Sequence, residues 1–227
     1  MTTTATDDVT GPDDLNEPAG GQPAGPATGP RFGLLALTLA VVAGLLLGYA
    51  GGWLTPTLTR PGNTSPEAGF ARDMSSHHAQ AVEMGLIAFQ RGSSQGIRQI
   101  GYDIATIQQG QIGTMQTWLD NWGLEPTGSE PPMAWMPDGA AAVKNGLMPG
   151  MATPEQMAEL RAASGTELDA LFCDLMIAHH LGGIHMADGI IEASDDRQVV
   201  ELAENMKATQ QAELNNLNQL RAEARAG

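Results

Sequence analysis

One pattern occurs twice in this chain. Phe70-Ala-Arg-Asp-Met74-Ser-Ser-His77-His78, running on to Glu83-Met84, returns as Phe172-Cys-Asp-Leu-Met176-Ile-Ala-His179-His180, running on to His185-Met186. Phe, Met and the His pair keep a constant offset of 102 residues. The offset persists downstream without a gap: Ile97, Ile100, Ile104 and Ile112 fall on Val199, Leu202, Met206 and Leu214. Gln108-Gln109 falls on Gln210-Gln211, and Gln111 on Glu213. Self-similarity at a fixed period is the mark of an internal duplication. The chain has 5 histidines, all inside the two copies, a clustering that a helical core does not require.

Each copy reads as a helical hairpin. Ser65 is placed as an N-cap, with Pro66 at N1 and Glu67 in the first turn of a helix running to about 91. Gly92-Ser93-Ser94 is a turn. A second helix over about 95–121 carries Ile97, Ile100, Ile104, Ile107, Ile112, Met115, Trp118 and Leu119 at helical spacing. Residues 122–153 form a Gly/Pro/Met connection. Thr153-Pro154-Glu155-Gln156 has capping-box spacing and opens a short helix over 154–162. The second hairpin covers 166–224, with its own turn at Ser194-Asp195-Asp196. Two hairpins with one apolar stripe each bury those stripes only against each other. The expected fold is therefore all-α, an antiparallel four-helix bundle over 66–224.

The duplicated positions carry the chemistry. Residues three, four or seven apart share a helix face, so Met74 sits beside both His77 and His78, and His77 lies over Met84. Met176, His179, His180 and Met186 repeat the arrangement, and Cys173 adds a thiol to the stripe. Thioether and imidazole together suit Cu(I), and imidazole alone suits Cu(II) or Zn(II). The expected metal ligands are His77, His78, His179 and His180, supported by Met74 and Met176. Cys173, His185, Met84 and Met186 are secondary candidates. Asp73, four residues before His77, is placed to bond that ring as outer carboxylates do for metal-bound histidines. His185, Asp188 and Glu192 share a separate face with harder donors. In a duplicated bundle the two His pairs can face each other across the pseudo-twofold axis. The glutamine pairs, with Gln111 and Glu213, are expected to hydrogen-bond within the bundle. A purely structural His-Met network is the competing reading.

The doubled Phe-x-x-x-Met-x-x-His-His pattern resembles the bacterial "domain of unknown function 305" family. Met148-Pro-Gly-Met151-Ala-Thr-Pro-Glu, leading into Ser164-Gly-Thr-Glu-Leu-Asp-Ala-Leu-Phe172, is similar to it as well. The resemblance covers roughly residues 66–222, and the first copy departs from it at Ser75-Ser76. It implies a ferritin-like four-helix bundle, exported in many members and linked to copper in some. It implies no established reaction.

Ahead of the bundle, residues 1–30 are rich in Thr, Asp, Gly and Pro without apolar periodicity and are expected to be disordered. From Phe32 to Leu54 no charge interrupts an apolar run long enough to span a bilayer. Arg31 marks one end and Trp53 suits an interface. Residues 31–54 are read as an uncleaved signal anchor and 55–65 as a Pro/Thr/Gly linker. Arg31 and Arg60 flank the span evenly, so charge barely sets its orientation. The size of the C-terminal part and the family resemblance favour a domain on the exterior, periplasmic side. Gly44-x-x-x-Gly48 offers a helix-packing face for a homo-oligomer or a membrane protein complex.

Composition excludes several classes. The chain carries 11 basic and 26 acidic residues, a net charge of −15, with no basic patch for phosphates, so no nucleic-acid partner is expected. One cysteine forbids an intrachain disulfide. No histidine has a Glu three residues before it, against a di-iron site. His-Glu-x-x-His, Gly-x-Ser-x-Gly and Cys-x-x-Cys-His are absent. No catalytic residue is assigned. The expected function is membrane-anchored copper storage, tolerance or delivery, with zinc as the other candidate ion. The alternative is a non-catalytic accessory or scaffold subunit of a membrane assembly.

Overall fold

A computed structural model describes residues 33–226. The described chain is all-helical: α1 (Leu34–Thr59), α2 (Pro66–Arg91), α3 (Gln95–Trp122), α4 (Gly139–Ala142), α5 (Pro154–Ala162), α6 (Gly165–Ala193) and α7 (Arg197–Ala226). It divides into two compact units at Thr55. The tail expected to be disordered over 1–30, and Arg31, lie outside the described residues.

In the first unit, Leu34–Trp53 is one apolar helix of 20 residues, long enough to cross a membrane. Its leucines, Tyr49 and Trp53 are exposed, unlike the side chains of a core helix. The helix continues to Thr59, past position 55, where the sequence suggests a linker.

In the second unit α2 pairs with α3, α6 pairs with α7, and the hairpins join mainly along α2 and α6. This is the antiparallel four-helix bundle. The helix ends follow from local chemistry. Ser65 Oγ accepts from Ala68 N, with Pro66 opening α2. Thr153 and Gln156 close a complete capping box on α5. Gly123 ends α3 at φ 72°, a conformation that favours glycine. Within the first hairpin, Gly85 and Gly101 let the helices nearly touch: a Cβ on either would stand 2.6 Å from the other's carbonyl oxygen. The equivalent positions of the second hairpin hold Ala187 and Ala203, both fully buried.

Two carboxylates cross-pin the repeats. Asp169, at the start of α6, accepts from Ser93 N (2.9 Å), Ser93 Oγ (2.6 Å) and Ser94 N (3.3 Å) in the α2–α3 turn. Glu67, its equivalent at the start of α2, accepts from Ser194 Oγ (2.6 Å) in the α6–α7 turn. Each repeat thus caps the turn of the other, which requires α2 and α6 to run antiparallel.

The connection is an ordered strap. It contains the short helix α4, which the sequence pattern does not announce. Asp73 accepts from Met133 N (2.7 Å) and Trp135 Nε1 (2.9 Å). Gln80 clamps Ala152 through both its backbone groups, at 2.7 and 3.0 Å. Between these anchors, Met148–Met151 crosses α6 where Gly150 (φ 78°) and Gly182 stand backbone against backbone. A Cβ on Gly182 would collide with Pro149 O, and one on Gly150 with Ala178 O. Overpacking of this kind costs about 1–3 kcal/mol. Gly182→Ala should therefore lower the thermal midpoint, read by circular dichroism, by roughly 2–4 °C per kcal/mol. Gly110→Ala serves as the control. Nothing lies within 4 Å of a Cβ at Gly110, so helix propensity should make it neutral or stabilising.

Candidate metal centre

Four imidazoles lie in one layer of the core. His77, His78 and His180 are 0% exposed and His179 is 1% exposed. They divide the apolar interior into two clusters. Met74 and Met186 belong to one, with Met115, Met133, Met148 and Met206. Met84, Met176 and Cys173 belong to the other. Because α2 and α6 are antiparallel, each cluster receives one methionine from before a His pair and one from after the other pair. All four motif methionines are 0% exposed. The His77 and His179 rings stack across the α2–α6 seam, their centroids 3.7 Å apart.

Every ring is held by Nε2. His77 donates to Pro149 O of the strap (3.0 Å), and His179 donates to His77 O (2.9 Å). His78 pairs with Gln111 Oε1 (2.8 Å), and His180 with Glu213 Oε2 (2.7 Å). A carbonyl oxygen only accepts, so the proton of the neutral His77, His78 and His179 rings sits on Nε2. Nδ1 of these three therefore keeps a bare lone pair. All four Nδ1 atoms are buried without a partner. Gln108 Oε1 and Gln210 Oε1 are buried without a partner as well. These six atoms form three pairs related by the duplication, and none has a hydrogen-bond partner.

Burial keeps His77, His78 and His179 neutral. Desolvation, above all, pushes His77 down to about 4 and His78 to about 3, with His77 adding repulsion to the latter. The same desolvation, with repulsion from the other imidazoles, holds His179 well below the ordinary histidine range. Burial also pushes the Cys173 thiol up to about 12. Cys173 thus stays protonated and packs in the apolar cluster as a small hydrophobe.

Two expectations are corrected. Asp73 does not bond His77; it anchors the strap, because Met133 N and Trp135 Nε1 reach it first. His185, on its separate face, is exposed and lines a surface groove of about 590 Å³ with Met148 and Met151 of the strap. The set His185, Asp188 and Glu192 does not assemble, since Asp188 is ion-paired with Lys207 at 2.6 Å. Among the described residues no three His, Cys, Asp or Glu side chains converge as a ready-made metal cage. Within the histidine layer only the His77 and His179 rings are in close contact among the described residues. Sequence reasoning missed Pro149, since a backbone carbonyl leaves no sequence signal. It also missed the roles of Gln80, Glu67 and Asp169. The last two align at the repeat offset, so that signal was present.

Fold and layer define a duplicated helical bundle with buried histidines at its centre. The chain belongs to the family "Domain of unknown function (DUF305)", whose model matches residues 67–221. A DUF305 protein from Streptomyces coelicolor, named as secreted, is 40% identical, covers 72% of this chain and 96% of its own, and superposes with a TM-score of 0.66. A DUF305 fragment from Deinococcus radiodurans is 27% identical, covering 70% and 96%, with a TM-score of 0.58. The fold is also that of CopM in its Cu(II)-bound form, 23% identical over 70% of this chain and 97% of that one, with a TM-score of 0.56. Comparison with functionally curated proteins returns no match.

The shifted histidines set a pH dependence for the metal-free protein. Their folded-state values lie below the unfolded one, so the unfolded chain takes up more protons as pH falls. Stability is complete above about pH 6.5 and is lost progressively toward pH 4. The loss between pH 7.5 and 5.5 should be on the order of 1 kcal/mol per histidine for His77, His78 and His179. Urea unfolding at the two pH values checks this, and equal midpoints would contradict the buried neutral layer.

Proposed function

We propose that this is a membrane-anchored copper-binding protein, serving copper storage, tolerance or delivery outside the cell membrane. The observation that carries the reading is the set of six buried polar atoms without a hydrogen-bond partner. An unsatisfied buried polar atom costs roughly 1–3 kcal/mol, so six together rival the 5–15 kcal/mol stability of a whole domain. A cation satisfies acceptors that lack donors. His77, His78, His179 and His180 would hold it through Nδ1, since Nε2 is engaged in the way that orients metal-bound histidines. Met74, Met84, Met176 and Met186, above and below the layer, supply thioethers that suit Cu(I). Zinc, indifferent to thioether, would bind more weakly. Support also comes from the CopM relatives, described in Cu(I)-, Cu(II)- and silver-bound forms. The exposed apolar helix Leu34–Trp53 is read as the anchor, and the relative named as secreted favours the exterior side.

A second reading, of an accessory or scaffold subunit, draws on a different observation. All four Nε2 atoms are already bonded and the His77 and His179 rings already in contact, so the layer can serve as a structural network that fixes helix register.

Competition titration of the full chain in detergent, with Cu(I), Cu(II) and Zn(II), separates the two. The copper reading expects stoichiometric binding well below micromolar, weakened about 100-fold or more in His77→Ala/His78→Ala and His179→Ala/His180→Ala. Circular dichroism reports whether those variants keep their fold. Absence of copper binding above the micromolar range in the wild type leaves the scaffold reading.

A further inference from the structure

The duplication makes the outer supports of the layer comparable, and they are not the same. His78 Nε2 meets Gln111 Oε1 at 2.8 Å, and His180 Nε2 meets Glu213 Oε2 at 2.7 Å. Gln111 and Glu213 are equivalent positions in the two repeats. Each lies one helical turn beyond a buried glutamine, Gln108 or Gln210. The geometry repeats, but a neutral amide stands where the other repeat has a carboxylate. Among the described residues Glu213 is the one carboxylate hydrogen-bonded to any of the four histidines. Its side chain is 15% exposed, while that of His180 is 0% exposed.

We propose that Glu213 is the counter-charge of the histidine layer and biases it toward the divalent ion. A cation entering a buried layer loses its hydration, and three neutral imidazoles and their thioether neighbours return no charge. A carboxylate behind the fourth imidazole does, through the Nε2–H it accepts. Coulomb attraction scales with the charge of the ion. The free energy that Glu213 contributes to a doubly charged ion is therefore about twice that for a singly charged one. Glu213 is thus a positioning and specificity residue, acting through His180 without touching the metal. The proposal rests on the copper-binding reading above, and concerns which oxidation state the layer favours.

Glu213→Gln keeps an acceptor for His180 and removes only the charge. Gln111→Glu adds the charge at the equivalent place. The measurement is the affinity of the full chain in detergent for Cu(I) and for Cu(II), each set against a competing chelator, for wild type and both variants. Loss of an outer-shell partner typically weakens metal binding about 10- to 100-fold. Glu213→Gln should weaken Cu(II) by a factor in that range and Cu(I) by about its square root. Gln111→Glu should strengthen Cu(II) more than Cu(I). A merely structural role would move both ions by the same factor, and equal shifts, or none, in a wild type that binds copper would overturn this proposal alone. A wild type that binds neither ion would overturn both this and the copper reading. If Glu213→Gln fails to fold, the Cu(II)-to-Cu(I) ratio in Gln111→Glu decides.

Discussion

The bundle depends on four hydrogen bonds at Nε2. Burying an imidazole is tolerable when its N–H finds an acceptor, and here each does: a strap carbonyl, a helix carbonyl, an amide and a carboxylate. Those bonds do three things at once. They satisfy each buried N–H in a site whose burial opposes charge. They fix one tautomer, so that a bare Nδ1 lone pair remains in the interior. They also tie α2 to the strap and α3, and α6 to α2 and α7, so the polar layer fastens together what the two apolar clusters on either side could pack in more than one register. Side chains of the right size alone make a bundle, while a buried polar layer chooses a single arrangement of it.

The second constraint is direction. Antiparallel α2 and α6 bring the N-terminus of each repeat's first helix to the turn of the other. Glu67 and Asp169 use that proximity: a carboxylate near the start of its own helix accepts from the serines that turn the opposite hairpin. The same antiparallel relation interleaves the methionines. Met74 and Met186 fall on one side of the histidines, and Met84 and Met176 on the other. A single hairpin would have left the thioethers of its motif on both sides of one His pair, with nothing facing them.

Much of this was legible in the chain, because local chemistry set it. The offset of 102 residues gave the hairpins. Ser65-Pro66 and Thr153-Pro154-Glu155-Gln156 then mark helix starts that the structure reproduces. The central histidines were legible from duplication alone. What was not legible depends on partners distant in sequence. Asp73 stands four residues from His77 and on the right face to bond it, but bonds a strap residue 60 positions away. His77 takes a carbonyl 72 positions away, and no residue type announces a carbonyl. His185 shares the period of its helix with Met186 but faces outward, because one-residue steps on a helix turn by about 100°.

The strap explains why a duplicated site is not a symmetric one. A pseudo-twofold copy of the bond from His179 to His77 O would run from His77 to His179 O. One connection joins two repeats, however, so whatever crosses the axis occupies one side only. Pro149 takes that place and supplies the carbonyl instead. The sequence records the cost of admitting it. Gly182, where the backbone of the strap presses on α6, stands opposite Gln80, which in the first repeat reaches out to hold Ala152. One repeat gives up a side chain to make room, and the other uses a long one to clamp. Once the inner supports of the histidines have become unequal in this way, nothing requires the outer ones to stay alike, and Gln111 and Glu213 differ in charge while keeping the same bond. The duplication thus fixes where the four rings stand, and the departures from it set how each is held.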